Sequence, residues 1–187
     1  MQTTTWQPTI ECALVRCRPL TPDDFEALYA VASDPLIWEQ HPNRDRYQRE
    51  VFATYFRGAI ESNGALLVVH KESGAIMGSS RFYDFAEGSG GVAGSGPRCV
   101  SIGYTFIARK YWGGEYNRAL KGLMLSHAFQ FVERVVFHVG VNNRRSRRAM
   151  EKLGAKLVGE TDISYYGEPS NLNAVYWIDK ADRADVA

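Results

Sequence analysis

Residues 99–117 read Cys-Val-Ser-Ile-Gly-Tyr-Thr-Phe-Ile-Ala-Arg-Lys-Tyr-Trp-Gly-Gly-Glu-Tyr-Asn, and within this stretch the chain changes its periodicity. Val100, Ile102, Tyr104 and Phe106 alternate with Ser101, Gly103, Thr105 and Ile107, which predicts a strand over 100–107. Gly103 falls inside it, where a glycine marks a bulge or a close backbone approach. After Gly113-Gly114 the period becomes helical: Leu120, Leu123, Met124, His127, Ala128 and Phe131 recur at three and four residues. Strand, glycine turn and helix start leave several backbone N–H groups pointing one way, backed by the positive end of a helix dipole. Such a turn suits a phosphate. A plain strand-to-helix corner satisfies the same pattern, because paired glycines are common in turns.

Downstream, 134–141 reads as a buried strand, and Asn143 caps a short helix that Gly154 closes. Further strands are predicted over 156–159, 163–166 and 174–178. Upstream, a strand over 13–18 is closed by Pro19. Thr21-Pro-Asp-Asp then starts a helix whose apolar face is Phe25, Leu28, Tyr29 and Ala32 and which Asp34-Pro35 ends. Residues 36–46 read as irregular, and a second helix over 47–61 is buried through Val51, Phe52, Tyr55, Phe56 and Ile60. Asn63-Gly64 and the turn at 72–74 bound a hairpin of strands 66–70 and 76–83. Residues 87–97 have the composition of a flexible loop. Gly88-x-Gly90-x-x-Ala93 matches the dinucleotide fingerprint only formally, since Ser-Gly-Pro follows where that motif needs a helix. The expected class is α/β (α+β): a mixed sheet with helices on both faces, two early and two late, in a single domain over 1–187.

Composition narrows the function. A chain of 187 residues, 45% hydrophobic, has ample core for one domain. A net charge of +1 argues against a general polyanion binder, so nucleic acid is not an expected partner. Cys12, Cys17 and Cys99 form no C-x-x-C pair, which disfavours a disulfide framework or zinc site and fits reduced thiols in the cytoplasm. No metal site is expected. Residues 1–11 lack an apolar core and no stretch reaches the roughly 18 apolar residues of a span, so neither signal peptide nor membrane anchor is expected.

Lys-Tyr-Trp-Gly-Gly-Glu-Tyr-Asn at 110–117 resembles the pyrophosphate-binding loop of the GNAT superfamily of N-acetyltransferases. Asn143-Arg-Arg-Ser146, followed by Glu151-Lys-Leu-Gly154, is similar to that family's Asn-x-x-Ser…Glu-Lys-Leu-Gly signature at the same spacing. The branch most resembled is that of the ribosomal-protein N-terminal (RimJ/RimL-type) acetyltransferases, and the likeness runs over about residues 12–180. Lys110 stands where Gln or Arg is usual, and Glu115 takes the second glycine position of the loop. The resemblance implies the GNAT fold, with a central splayed V between strands 100–107 and 135–141. It implies acetyl-CoA as cofactor, with pantetheine paired along Phe106, Ile107 and Ala108. The pyrophosphate would sit on Lys110, Trp112, Gly113, Gly114, Glu115, Tyr116 and Asn117, and the oxyanion would face backbone N–H near Gly103.

Asn143 and Ser146 are the side chains the resemblance points to, the asparagine for the pantetheine arm and the serine as proton donor near the sulfur. Both are equally explained as helix cap and first-turn residue. Met150 occupies the place where many relatives carry a proton-donating tyrosine, and Ser101 the place of a frequent glutamate base. Glu39, His41, Tyr104 and Tyr165 are the alternatives for a base; Tyr104, with Ser146, is carried forward as a catalytic candidate. His127 reads as packed and Cys99 lacks a histidine neighbour for nucleophilic work. Arg144, Arg145, Arg147, Arg148 and Lys152 fit a 3′-phosphate contact, an RNA contact or a solvated face. Trp38, Glu39, His41 and loop 84–97 are expected on the acceptor side. The expected activity is acetyl transfer from acetyl-CoA to a primary amine, on a protein N-terminus or a small molecule, by direct attack in a ternary complex. Alternatives are a drug- or polyamine-type acetyltransferase, an acyl-CoA-binding regulator without turnover, and an RNA-binding module.

Overall fold

The computed structural model describes residues 5–84, 97–164 and 167–183. Eight strands form one sheet: β1 (Ile10–Glu11), β2 (Val15–Pro19), β3 (Ala65–His70), β4 (Ile76–Tyr83), β5 (Cys99–Ile107), β6 (Arg134–Gly140), β7 (Lys156–Ser164) and β8 (Ser170–Asp179). Their order is β1-β2-β3-β4-β5-β6-β8-β7, antiparallel throughout except for the parallel pair β5–β6. The helices are α1 (Phe25–Ala32), α2 (Pro35–Trp38), α3 (Arg49–Glu61), α4 (Tyr116–Ala128), α5 (Arg144–Lys152) and α6 (Lys180–Arg183).

Two cores cover the two faces. α4 and α5 bury Leu120, Met124, Leu125, Ala128 and Met150 on one face, against Val68, Ile102 and Phe137 of the sheet. α1, α2 and α3 bury Leu28, Ile37, Trp38, Phe52 and Tyr55 on the other, against Leu67 and Phe106. β3 explains its own sequence in this setting. Leu66 and Val68 enter one core, Ala65 and Leu67 the other, so the strand is apolar at each position from Ala65 to Val69 rather than at alternate ones. Each such buried aliphatic side chain contributes about 1.5–3 kcal/mol.

The mixed sheet with helices on both faces is as the sequence implied, and three local readings change. α2 forms inside the stretch read as irregular, because the Asp34 carboxylate accepts from Leu36 N–H at 3.0 Å and caps it, with Pro35 at its first position. The apolar stripe runs on to Phe131, but α4 stops at Ala128 and a turn carries the remainder. The strands expected over 156–159 and 163–166 are one strand, β7, whose pairing with β8 shifts register between Leu157 and Gly159; residues 165 and 166 lie outside the described residues. The loop over 87–97 lies outside them too, apart from Pro97. His127 is packed as expected: its Nε2 meets the Thr5 carbonyl oxygen at 2.8 Å and its ring rests among Trp6, Phe82 and Phe131.

Candidate active site

β5 and β6 pair over only three positions, Cys99↔Arg134, Val100↔Val135 and Ser101↔Val136. Beyond these, among the described residues, the strands share no register, and a cavity of about 1000 Å³ opens between them. The splayed V is therefore present. The glycine loop and α4 wall one side, the start of α5 the other, and α2 with the loop after it closes a third.

The bulge lies one residue beyond its expected place. Pairing of β4 with β5 passes from Ser79↔Phe106 to Arg81↔Gly103, so Ser80 faces both Tyr104 and Thr105. Tyr104, not Gly103, takes the left-handed conformation, with φ +52. A non-glycine residue there costs about 1–2 kcal/mol, and three contacts hold it. The Tyr55 hydroxyl donates to the Tyr104 carbonyl at 2.7 Å, the Arg81 guanidinium lies 3.8 Å from the ring centroid, and Tyr83 meets the ring edge-on. Gly103 is glycine for another reason: a Cβ there would lie 2.9 Å from the Tyr83 ring.

Most of the residues expected at the site line this one cleft: Tyr104, Phe106, Ile107, Trp112, Gly113, Gly114, Glu115, Asn117, Asn143 and Ser146. Gly113 has φ +74, and no atom stands within 4 Å of the place a Cβ would occupy, so the loop backbone is open toward the cleft. The Trp112 indole N–H donates to the Ile107 carbonyl at 2.8 Å and fixes the loop on the end of β5. Glu115 is exposed at the start of α4.

Three expected cofactor residues stand outside the cleft. Ala108 turns its N–H to the Met77 carbonyl at 2.7 Å, completing the β4 side of the sheet. Lys110 lies along the Tyr111 ring, and Tyr116 bonds His70 through its hydroxyl at 3.2 Å. Asn143 does cap α5, its Oδ1 accepting from Ser146 N–H at 3.1 Å, while lining the cleft. Cap and contact are compatible.

The base candidates separate on burial and bonding. His41 is locked by Asn43 N–H on Nδ1 at 2.9 Å and by Arg46 against Nε2 at 3.3 Å, and burial holds its pKa well below the usual imidazole value. Glu39 faces Arg145 at 3.6 Å and does not line the cleft. Burial raises the Tyr104 phenol pKa, which argues against it as a base. Tyr165 lies outside the described residues. Cys99 sits at the closed end of the V, its thiol pKa raised by burial and its Sγ against the Pro97 carbonyl at 3.0 Å.

Sequence reasoning passed over two residues. His138 lines the cleft from β6, on the face opposite to Phe137 and Val139; its Nδ1 lies 2.9 Å from the Tyr83 hydroxyl, and burial lowers its pKa. Period-two alternation along 134–141 contained that signal. Lys121 is 4% exposed on the core side of α4, one turn before Leu125. Its Nζ donates to Thr105 Oγ1 at 2.5 Å and reaches Ser80 Oγ at 3.4 Å, and desolvation brings its pKa down to about 7. The helical stripe contained it.

The arginine cluster divides. Arg147 is structural, bonding the Tyr176 hydroxyl at 3.0 Å and the Val141 carbonyl at 3.1 Å. Arg144, Arg148 and Lys152, joined by Arg118 of α4, line the cleft with no ion-pair partner among the described residues. Among those residues no His, Cys, Asp or Glu cluster suits a metal, and no helix is long and apolar enough to cross a membrane.

The family model described as an acetyltransferase (GNAT) domain matches residues 15–156. The chain belongs to the GNAT acetyltransferase family. It is thus an N-acetyltransferase whose cosubstrate is acetyl-CoA. The fold agrees with solved GNAT structures. The acetyltransferase of Bacillus anthracis is 19% identical, with TM-score 0.71 over 93% of this chain and 99% of that one. Mycobacterium smegmatis RimJ, in complex with CoA-disulfide, is 17% identical, with TM-score 0.66 over 90% and 83%. The ribosomal-protein-S5-alanine acetyltransferase of Vibrio fischeri is 15% identical, with TM-score 0.65 over 94% and 98%. Among curated proteins no match was found.

Proposed function

We propose that the cleft where β5 and β6 part is the acetyl-transfer site, and that the acceptor is a primary amine of low pKa, in the first place a protein N-terminal α-amine. One observation carries this: the β5–β6 ladder ends at Ser101 and Val136, and the cleft it opens leads directly to the glycine loop at Gly113. The residues present fit acetyl-CoA. The open backbone at Gly113 and the start of α4 suit a pyrophosphate, and Arg118, Arg144, Arg148 and Lys152 suit the remaining phosphate. Phe106, Ile107 and Asn143 suit the pantetheine arm. When bound, acetyl-CoA supplies an activated acetyl thioester.

The chain's own residues then perform three tasks. Backbone N–H groups at the Tyr104 bulge stabilise developing negative charge, and Tyr55 and Arg81 keep that bulge in place. Trp38, His41, Arg46 and His138 bound the space beside Tyr104 and position the amine. His138, neutral at physiological pH because burial lowers its pKa, accepts the amine proton. Ser146 remains a second polar group in the cleft.

The amine class follows from the base. Glu115 is the only carboxylate among the described residues lining the cleft, and it stands at the loop rather than beside Tyr104. An imidazole of lowered pKa suits an α-amine near 8 better than a lysine amine near 10.4. The RimJ-like branch suggested by sequence agrees with this acceptor, and two structural neighbours carry RimJ and ribosomal-protein acetyltransferase names. The test is a thiol-release assay with acetyl-CoA over N-terminal peptides, polyamines and aminoglycosides, with products identified by mass. Faster turnover of α-amino peptides supports the reading; turnover confined to small-molecule amines moves the acceptor to that class.

A further inference from the structure

The reaction needs a proton for the sulfur that leaves, and Met150, which stands where the resemblance implies a proton-donating tyrosine, has none to give. We propose that Lys121 is that donor: its ammonium, held by Thr105 beneath the β5 backbone, faces the departing sulfur. This rests on the proposed reading of the cleft, in which the pantetheine arm follows Phe106 and the acetyl group reaches the bulge at Tyr104. The residue between those two points is Thr105, and its Oγ1 is the atom 2.5 Å from Lys121 Nζ. Lys121 and Thr105 both line the cleft.

The placement has no sufficient structural explanation. Ser80 Oγ and Thr105 Oγ1 already bond each other at 2.7 Å, so neither hydroxyl needs the lysine. Among the described residues no carboxylate pairs with Nζ; the third group near it is the Phe137 ring, 6.0 Å away. A methionine would fill the same volume without burying a charge. The titratable group facing Lys121 across the core is the Cys17 thiol of β2, itself pushed up to about 12 by burial and therefore neutral. A buried amine titrating near 7 is matched to an alkyl thiolate of about 8.5, since it still carries its proton for part of the time at neutral pH and is the stronger acid of the two.

The balance is simple. As the amine nitrogen forms the new C–N bond, the thioester C–S bond breaks; the Nζ proton passes to sulfur, and the amine proton passes to His138. Water then takes the proton from His138 and returns one to Lys121.

The test follows the Lys121 Cε resonance across pH by NMR, in wild type and Thr105→Val, with coenzyme A or desulfo-coenzyme A bound, and kcat across pH for both proteins and for Lys121→Met. An amine against the sulfur should titrate at least about half a pH unit apart in the two complexes of the wild type, and kcat should fall as pH rises through about 7, where the donor loses its proton. Thr105→Val should lose the difference between the two complexes, and both variants should lose the basic limb of kcat while binding desulfo-coenzyme A as the wild type does; Thr105→Val covers the case in which Lys121→Met does not fold. A Lys121 that titrates alike with the two ligands overturns the assignment, as does an acetyl group found on Lys121 by mass after incubation with acetyl-CoA. Failure of coenzyme A to bind at all would instead remove the reading of the cleft itself.

Discussion

Arg145 lays its guanidinium 3.7 Å from the ring centroid of Trp112. The same side chain donates to the Ile37 carbonyl at 3.0 Å and faces Glu39 at 3.6 Å, so one residue ties the glycine loop to the acceptor wall. Arg145→Ala should lower acetyl-CoA affinity about tenfold, because the cation–π contact of about 1–2 kcal/mol that fixes Trp112 is lost. Arg145→Lys should not restore it, since an ammonium neither stacks nor forks. Calorimetric titration with acetyl-CoA measures both; wild-type affinity in the alanine variant would make the contact incidental.

Arg46 and Glu168 form a second tie. They meet at 2.6 and 2.5 Å across 122 residues, with both side chains at least nine-tenths buried and Asn43 donating to the same carboxylate. Arg46 also lies 4.8 Å from the Tyr55 ring centroid. Glu168→Ala strands a buried guanidinium, so it should cost about 3–5 kcal/mol. Denaturant unfolding checks the stability. In the folded fraction the KM for the acceptor should rise more than that for acetyl-CoA, because this tie closes the wall formed by the loop after α2.

How much of this was legible beforehand follows from the range of each interaction. The glycine loop and the Asn143 cap are written in contiguous residues, and reading 99–117 and 143–154 finds them; the V between strands 100–107 and 135–141 is implied only by the family resemblance that those two stretches carry. The bulge was placed at Gly103 because glycine is the local signal, yet Tyr104 carries it because Tyr55 and Arg81 come from elsewhere in the chain. Arg46–Glu168 joins two segments that no short-range rule relates. Lys121 and His138 were within reach: Lys121 stands one turn before Leu125 in the helix whose stripe was read, His138 stands in a strand read as buried, and a polar residue in a buried element is itself the signal.

Lys121 makes stability depend on pH in a definite sense. Its pKa is about 7 in the folded protein against 10.5 for the ordinary side chain. Between those values the unfolded chain holds the extra proton, so stability rises from pH 7 toward pH 10.5 and carries a constant cost below pH 7. The cost is on the order of 4–5 kcal/mol. Lys121→Met should therefore unfold at higher denaturant than wild type at pH 7, and the gap should close by pH 10. A constant gap contradicts a buried, displaced amine.

His138 should set the acidic limb of activity. Its pKa lies below the usual 6.5, so kcat at saturating α-amino peptide should hold as pH falls to 6.5 and drop only below it. His138→Gln should remove that limb and lower kcat by about 10²–10⁴-fold, with acetyl-CoA affinity unchanged. A variant that keeps the wild-type profile would return the base to solvent.

The central claim is that the opening between β5 and β6 holds acetyl-CoA, and the most direct measurement is the melting temperature with acetyl-CoA, ATP or NAD, for wild type and Gly113→Asp. At about a hundred times its dissociation constant acetyl-CoA should add about 2.7 kcal/mol, a rise of several degrees. The other nucleotides should give less, and Gly113→Asp, which sets a carboxylate on the open loop at φ +74, should abolish the rise. No rise in wild type, or the same rise in Gly113→Asp as in wild type, would contradict the assignment of the cleft.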